Sequence, residues 1–213
     1  MKIRFTLALL FLPISIGNIA SPRSIRQIDF RNFTYAWDDA PGPFDTTWRW
    51  LDSSPESQIK VSDGIHRFDD ENDLGEGPSP LLRVASVIYG DLTGHGTDEA
   101  IVELNYSTGG TANWDYLYVY SLTKGHLLLL GRLESGSRGY GGLIRVRVEG
   151  TSLVTDFADK DKLRGDCCSA GFIRVRYRLQ RGTFVEFGAR QYGDMELREG
   201  PKGMYKWEET KTE

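Results

Sequence analysis

The sequence lacks long runs of basic residues, and its formal net charge at pH 7 is -4. A nucleic-acid-binding protein needs clustered positive charge to neutralise phosphates, so this class has no electrostatic support. The chain also lacks the Gly-x-Ser-x-Gly elbow, the His-Glu-x-x-His motif and a phosphate-binding loop. Its histidines, His66, His95 and His126, have no signature nucleophile beside them. Catalysis therefore has little support in the sequence.

Long apolar runs are absent except at the N-terminus. Met1-Lys2-Ile3-Arg4 is a short cationic start, an apolar run extends to Ile16, and small residues follow as far as Ala20. This is the layout of a secretory signal peptide. The run is too short for a spanning helix, which needs roughly 20 apolar residues. We therefore expect residues 1–20 to be removed, leaving a secreted or periplasmic protein with no membrane association.

Cysteine is scarce, because the chain contains only the adjacent residues Cys167 and Cys168. In an exported protein two cysteines normally pair. Neighbouring Cα atoms lie ~3.8 Å apart, below the usual disulfide range of about 4.4–6.8 Å. A disulfide between Cys167 and Cys168 would therefore be a strained ring in a turn. Free thiols and an intermolecular bond are the alternatives, and the spaced cysteine pair of redox enzymes is missing.

Glycine and aromatic residues are plentiful, with 24 glycines and 12% aromatic residues. This composition is typical of a turn-rich β protein. Between Leu81 and Phe187, apolar segments of strand length alternate with glycine-containing turns and predict about eight strands. We predict an all-β fold in which two antiparallel four-stranded meanders pack as a sandwich or as propeller-blade-like sheets.

The domain organisation follows from these patterns. After the signal peptide, residues 21–80 form an aromatic, loop-rich N-terminal segment, residues 81–190 the β domain, and residues 191–213 a polar C-terminal tail. Within the N-terminal segment, Ser62-Asp63-Gly64 predicts a tight hairpin turn with positive φ.

The segment Asp91–Glu99 carries oxygen-bearing side chains at ligand spacing, in a glycine-punctuated loop between two apolar runs. A calcium loop needs oxygen ligands at alternating positions, a glycine for the sharp turn and a later carboxylate. Asp91, Thr93 and His95 hold the first, third and fifth positions. Gly96 and Glu99 supply the turn and the closing carboxylate.

The run Gly90-Asp91-Leu92-Thr93-Gly94-His95-Gly96-Thr97-Asp98-Glu99-Ala100 resembles the Asp-rich loop of FG-GAP and VCBS-type β repeats. The chain is more widely similar to uncharacterised exported bacterial proteins that carry one such loop. The resemblance implies a calcium site formed by Asp91, Thr93, His95 and Glu99. Thr93 and His95 replace two carboxylate or amide ligands, which weakens the expected site. The alternative is a tight turn in which Asp91 accepts hydrogen bonds from loop N–H groups.

Two groups of side chains could form surfaces. The polar faces of alternating strands carry the arginines Arg145, Arg147, Arg174, Arg176 and Arg178. They predict either an anion or acidic-partner site, or a solvated face neutralised by Glu149, Asp156 and Glu186, which we favour. The aromatic residues Trp48, Trp50, Trp114, Tyr116, Tyr118 and Tyr120 could form a platform for a sugar or peptide, although strand aromatics more often pack in a core.

These observations specify no biochemical activity. We predict an exported binding or interaction module for an unknown protein or carbohydrate partner, with calcium as the one cofactor that a motif suggests. A secreted hydrolase using carboxylates of the acidic run 69–73, or a structural envelope component, are the alternatives. A pocket holding two converging carboxylates would favour the hydrolase, whereas an exposed aromatic groove would favour binding.

Overall fold

The structure, a computed structural model, describes residues 23–37, 48–51, 57–68, 79–165, 168–199 and 205–210. The predicted signal peptide and the whole acidic run 69–73 lie outside these residues. The described residues form fourteen strands and two short 3-10 turns, at Ile25–Gln27 and Lys160–Lys162, so the all-β prediction is confirmed. No helix in these ranges has the length and apolarity needed to cross a membrane.

The strands have the following bounds: β1 (Phe33–Trp37), β2 (Arg49–Leu51), β3 (Ser57–Val61), β4 (Ile65–Arg67), β5 (Leu81–Gly90), β6 (Glu99–Ser107), β7 (Asn113–Thr123), β8 (His126–Ser137), β9 (Leu143–Glu149), β10 (Ser152–Ala158), β11 (Gly171–Gln180), β12 (Thr183–Glu186), β13 (Gln191–Glu199) and β14 (Tyr205–Glu209).

The first sheet has the order β2-β8-β7-β6-β5-β4, and all its pairs are antiparallel. Its centre is the predicted meander β5–β8. The N-terminal segment adds β2 and β4 at the two edges, so this segment is part of the sheet. Along β7, Tyr118 and Tyr120 point to one face while Leu117 and Val119 point to the other. Both sets are buried, so both faces of the sheet are covered.

The second sheet has the order β14-β13-β11-β10-β9, with β12 also paired to β11. It packs on the Leu117 and Val119 face of the first sheet through residues such as Leu153, Phe157 and Val175. The shared core between them is the sandwich that the alternation predicted.

The segment 191–213, which we expected to be a polar tail, contributes β13 and β14 to this sheet. Gly193 on β13 explains in part why the sequence of this strand shows only a weak apolar pattern. A Cβ atom at Gly193 would lie 2.3 Å from the ring of Phe172. The ring therefore packs on bare backbone, and the strand is anchored there without an apolar side chain of its own.

The opposite face of the first sheet is covered by the ribbon β1–β3. Tyr35 and Val61 from this ribbon are fully buried, and the hydroxyl of Tyr118 donates to the carbonyl of Ala36 at 2.6 Å. The predicted turn is present, with positive φ at Asp63 and Gly64. It directs β3 and β4 into different sheets, because β3 pairs with β1 and β4 pairs with β5.

Candidate functional site

The loop Asp91–Glu99 connects β5 to β6 at one end of the sandwich. Leu92 is 3% exposed and inserts into the core between the two sheets. Gly94 and Gly96 have φ of 74° and 77°, a region that residues with a Cβ atom rarely adopt. The glycines therefore bend the loop back over Asp91, while Leu92 fixes it to the fold.

Both carboxylate oxygens of Asp91 accept hydrogen bonds from the loop backbone. Oδ1 accepts from the N–H of Gly94 at 2.6 Å and of His95 at 3.1 Å, and Oδ2 accepts from the N–H of Gly96 at 2.7 Å. These bonds, that of Gly96 foremost, lower the pKa of Asp91. Asp91 thus accepts hydrogen bonds from loop N–H groups and closes a tight turn, as the second interpretation of this loop predicts.

Glu99 is fully buried at the other end of the loop. Its Oε2 accepts from the backbone N–H of Leu92 at 2.8 Å and of Thr93 at 3.2 Å. Its Oε1 accepts from the hydroxyl of Ser121 on β7 at 3.1 Å. The Thr93 hydroxyl lies 3.3 Å from this Oε1 and 3.4 Å from Oδ1 of Asp91. The structure thus brings Asp91, Thr93 and Glu99 together.

The carboxylates of Asp91 and Glu99 accept hydrogen bonds from N–H and O–H groups of the protein. An ionised carboxylate offers about four lone-pair sites, so these bonds neither form nor exclude a calcium site, which stays a prediction. Asp98 forms an ion pair with Arg26 at 2.8 Å. The side chain of His95 is exposed. Across the described ranges, no group of three or more acidic, histidine or cysteine residues is arranged to hold a metal.

Cys168 is disulfide-bonded, whereas Cys167 lies outside the described residues. The turn at Cys168 is closed by a hydrogen bond from the N–H of Arg164 to the carbonyl of Cys168 at 2.9 Å. An antiparallel bridge between Leu163 and Ser169 also closes it. The pairing of Cys167 with Cys168 stays a prediction.

Four of the five predicted arginines, which together we call the arginine ladder, form ion pairs with acidic residues of the same sheet. The fifth, Arg178, lies over the ring of Phe187. Asp156 on β10 lies opposite Arg145 on β9 and Arg174 on β11. Glu149 is bonded to Arg147 at 2.6 Å, and Arg147 also reaches Asp156 at 3.3 Å. The solvated, neutralised interpretation therefore fits these contacts better than an anion site. Glu186, which we expected to take part, pairs instead with Arg190 outside the ladder, and Glu209 from β14 takes its place beside Arg174.

The aromatic platform on β7 is not exposed, because Trp114, Tyr116, Tyr118 and Tyr120 all belong to the core under the β1–β3 ribbon. Trp48, which precedes β2, is half-buried and lies instead at a cavity of about 260 Å³. The cavity is lined by residues from four separate parts of the chain: Trp48, Ala158, Asp159, Lys160, Asp161, Ile173 and Arg190.

The indole of Trp48 forms one wall of this cavity. It stacks on Phe157 with ring centroids 4.1 Å apart and an interplanar angle of 2°. The guanidinium carbon of Arg190 lies 5.1 Å from the centroid of the Trp48 ring. Because Phe157 covers one face of the indole, Arg190 must lie over the other. Arg190 is fixed by two bonds to Glu186, at 2.8 and 2.9 Å.

One side of the cavity is the 3-10 turn that follows β10, which carries charges of both signs. Asp159 is 4% exposed and caps the turn, with Oδ1 accepting from the N–H of Asp161 at 3.0 Å. The side chain of Asp161 makes no such bond and is exposed, as is Lys160. The cavity thus combines the apolar residues Ala158 and Ile173 with carboxylates and cations that line the same space.

Sequence reasoning missed this site. Trp48 is more than a hundred positions from the other lining residues, and only the fold brings Trp48 and Arg190 together. The single local signal was the alternating charge of Asp159-Lys160-Asp161-Lys162 immediately after a strand.

A second polar cluster lies on β5, β6 and β7. Asn105 donates to Oδ1 of Asp115 at 2.7 Å and accepts from Nε of Arg83 at 3.2 Å. Glu103 lies on the same face and accepts from the hydroxyl of Ser86 at 2.7 Å. Burial, foremost, and the nearby charge of Glu103 raise the pKa of Asp115 to about 7.

This pKa predicts a pH-dependent stability. An aspartate in an unfolded chain has a pKa of about 3.9, so the folded state holds the Asp115 proton more tightly. The stability that this proton contributes is fully present below about pH 4 and is lost as the pH rises through about 7. Asp115→Asn does not titrate, so we expect its stability relative to the wild type to be about 4 kcal/mol greater at pH 8 than at pH 4. Urea denaturation at both pH values measures this, and an equal difference at the two would contradict it.

Comparison with known proteins gives no relative for these sites. The chain matches no family model, no curated protein and no solved structure. The resemblance of residues 90–100 to the FG-GAP loop therefore stays a prediction, and the function must be argued from the geometry alone.

Proposed function

We propose that the chain is an exported binding module whose ligand site is the cavity beside Trp48. The observation that carries the proposal is that an indole, the exposed carboxylate of Asp161 and two cations line one concave space of about 260 Å³. Binding sites are typically concave, largely apolar and equipped with a few convergent polar groups. The small volume favours a compact polar ligand over the broad, flat surface of a protein partner.

The contacts of Asp159 favour binding over hydrolysis. A carboxylate-dependent hydrolase needs two carboxyl groups that both face the substrate. Asp159 and Asp161 both line the cavity, but Asp159 is nearly fully buried and caps the 3-10 turn through the N–H of Asp161. Only Asp161 is then well placed to meet a ligand, which suits recognition better than acid–base chemistry.

We also propose that the Asp91–Glu99 loop has a structural role in which protein donors take the place of a calcium ion. The loop attaches Leu92 to the core through Glu99, and Asp98 joins the N-terminal 3-10 turn through Arg26. Arg26 also lies 4.4 Å from the centroid of the Tyr89 ring. The loop thereby fastens the first residues of the described chain to the sandwich.

The ligand site can be tested by NMR on the 15N-labelled chain beginning at residue 21, which contains every described residue. The indole N–H signal of Trp48 is identified by its loss in Trp48→Phe. The chain is then titrated with three classes of small molecule: neutral methyl glycosides, amino acids and sugar acids. We expect one class to shift the Trp48 signal and the backbone signals of residues 158–161, because these groups line the cavity.

The controls are the indole signals of Trp37 and Trp114, which are buried in the core on the far side of the first sheet. They should not move. If no class shifts the Trp48 signal, the proposed binding function is wrong.

A further inference from the structure

We infer that the ligand of this cavity is a neutral sugar unit, an inference that rests on the proposed binding function. It draws on three features of the cavity: the hydrogen-bonding types of its polar groups, the balance of its charges, and its size.

The polar groups around the cavity are of two complementary types. An ionised carboxylate such as that of Asp161 only accepts hydrogen bonds, whereas the side chains of Lys160 and Arg190 only donate them. A hydroxyl group both donates and accepts. A ring that carries neighbouring hydroxyls can therefore donate to Asp161 and accept from Lys160 or Arg190 with one repeating chemical group.

The charge balance of the cavity disfavours a ligand of either sign. The cavity is lined by two carboxylates, Asp159 and Asp161, and by two cations, Lys160 and Arg190, so the charges of its lining residues balance in number. An anion would meet the acidic residues and a cation the basic ones, and each would lose hydration that the site cannot fully replace. A neutral ligand with many hydroxyls avoids this desolvation cost.

The size and the floor of the cavity favour one sugar ring. The volume of about 260 Å³ lies just below the range of about 300–1,000 Å³ that is typical of drug-sized ligands. Ala158 and Ile173 present apolar surface, and the edge of the Trp48 indole adds to it. This surface suits the C–H groups of a sugar ring while its hydroxyls face the charged side chains. The ligand is then a single sugar unit or the end of a longer glycan.

The inference is tested by isothermal titration calorimetry with six ligands. Methyl α-D-glucopyranoside, methyl α-D-galactopyranoside and methyl α-D-mannopyranoside represent neutral sugars. Glycine represents zwitterions, and D-glucuronate and L-glutamate represent acids. We expect at least one methyl glycoside to bind and the three charged ligands to bind at least about tenfold more weakly, which corresponds to 1.4 kcal/mol of binding free energy.

Two variants should weaken the binding of that glycoside by about tenfold or more, the effect of losing one hydrogen bond to a charged group. Asp161→Asn keeps the side-chain shape and leaves the cap intact, because the cap uses the backbone N–H of Asp161. Arg190→Gln removes the guanidinium over Trp48. Asp63→Asn, in the β3–β4 turn, is the matched control and should bind as the wild type does.

The possible failures are distinguishable. If glycine, D-glucuronate or L-glutamate binds and shifts the Trp48 signal while no glycoside does, the sugar inference is wrong and the cavity remains a ligand site. If a glycoside binds but Asp161→Asn and Arg190→Gln bind it as tightly as Asp63→Asn does, the sugar occupies another place and the inference is overturned. If no ligand of the panel shifts the Trp48 signal, the proposed function fails together with the inference.

Discussion

Replacing Asp156 by alanine is expected to destabilise the fold by about 3–5 kcal/mol, the cost of removing one partner from a buried ion pair. The side chain of Asp156 is 4% exposed. It accepts two bonds from Arg174, at 2.7 and 3.0 Å, and one from Arg147 at 3.3 Å. Without it, the guanidinium groups of β9 and β11 face one another across β10 with only the exposed Glu149 and Glu209 to offset them.

Urea denaturation followed by circular dichroism measures this effect as a lower midpoint at an unchanged slope. The matched control is Glu149→Ala, which removes a carboxylate from the same ladder at an exposed position. Exposed ion pairs contribute about 0–1 kcal/mol, so the control should lose far less. Equal losses in the two variants would show that Asp156 is not the centre of the ladder.

Replacing Glu99 by alanine is expected to cost about 3 kcal/mol of folding free energy, because buried donors that lose their acceptor retain their desolvation penalty. The donors are the backbone N–H groups of Leu92 and Thr93 and the hydroxyl of Ser121. Leu92 depends on these bonds for its position in the core. Glu99→Gln keeps an acceptor oxygen, so we expect it to lose about 1 kcal/mol.

Thermal denaturation in the presence of millimolar calcium, or of a chelator, tests whether protein donors take the place of the ion. We expect the melting temperature of the wild type to be the same under both conditions. Calcium that raised the melting temperature of the wild type, but not of Glu99→Gln, would show that the carboxylates of the loop bind the ion after all. A Glu99→Ala variant as stable as the wild type would contradict the structural role of the loop.

Alternation of apolar and polar residues predicted the strands of the β domain well. The tyrosines and the Leu/Val residues of β7 lie on opposite faces, as alternation along a strand requires. This pattern could not reveal that both faces of β7 are buried. Its residues still alternate in type, because a different layer covers each face of the strand. The three-layer arrangement depends on the β1–β3 ribbon, whose position is set by contacts distant in sequence.

The Asp91–Glu99 loop shows the same limit of prediction from local sequence, here for a candidate site. Spacing placed Asp91, Thr93 and Glu99 together correctly, since all three lie within one short connection. It left open whether Asp91 would meet a calcium ion or loop N–H groups, because the same spacing suits both. Likewise β13 was hidden, since Gly193 receives the Phe172 ring on its bare backbone. The cavity was hidden because Trp48, Asp161 and Arg190 come from distant segments.

The ligand site beside Trp48 is tested most directly by a crystal structure of the chain soaked with the methyl glycoside that binds most tightly. We predict that the sugar ring lies in the cavity, with hydroxyl groups within hydrogen-bond distance of the Asp161 carboxylate and the Arg190 guanidinium. A sugar ring bound elsewhere on the surface, with the cavity unchanged, would contradict the proposed site.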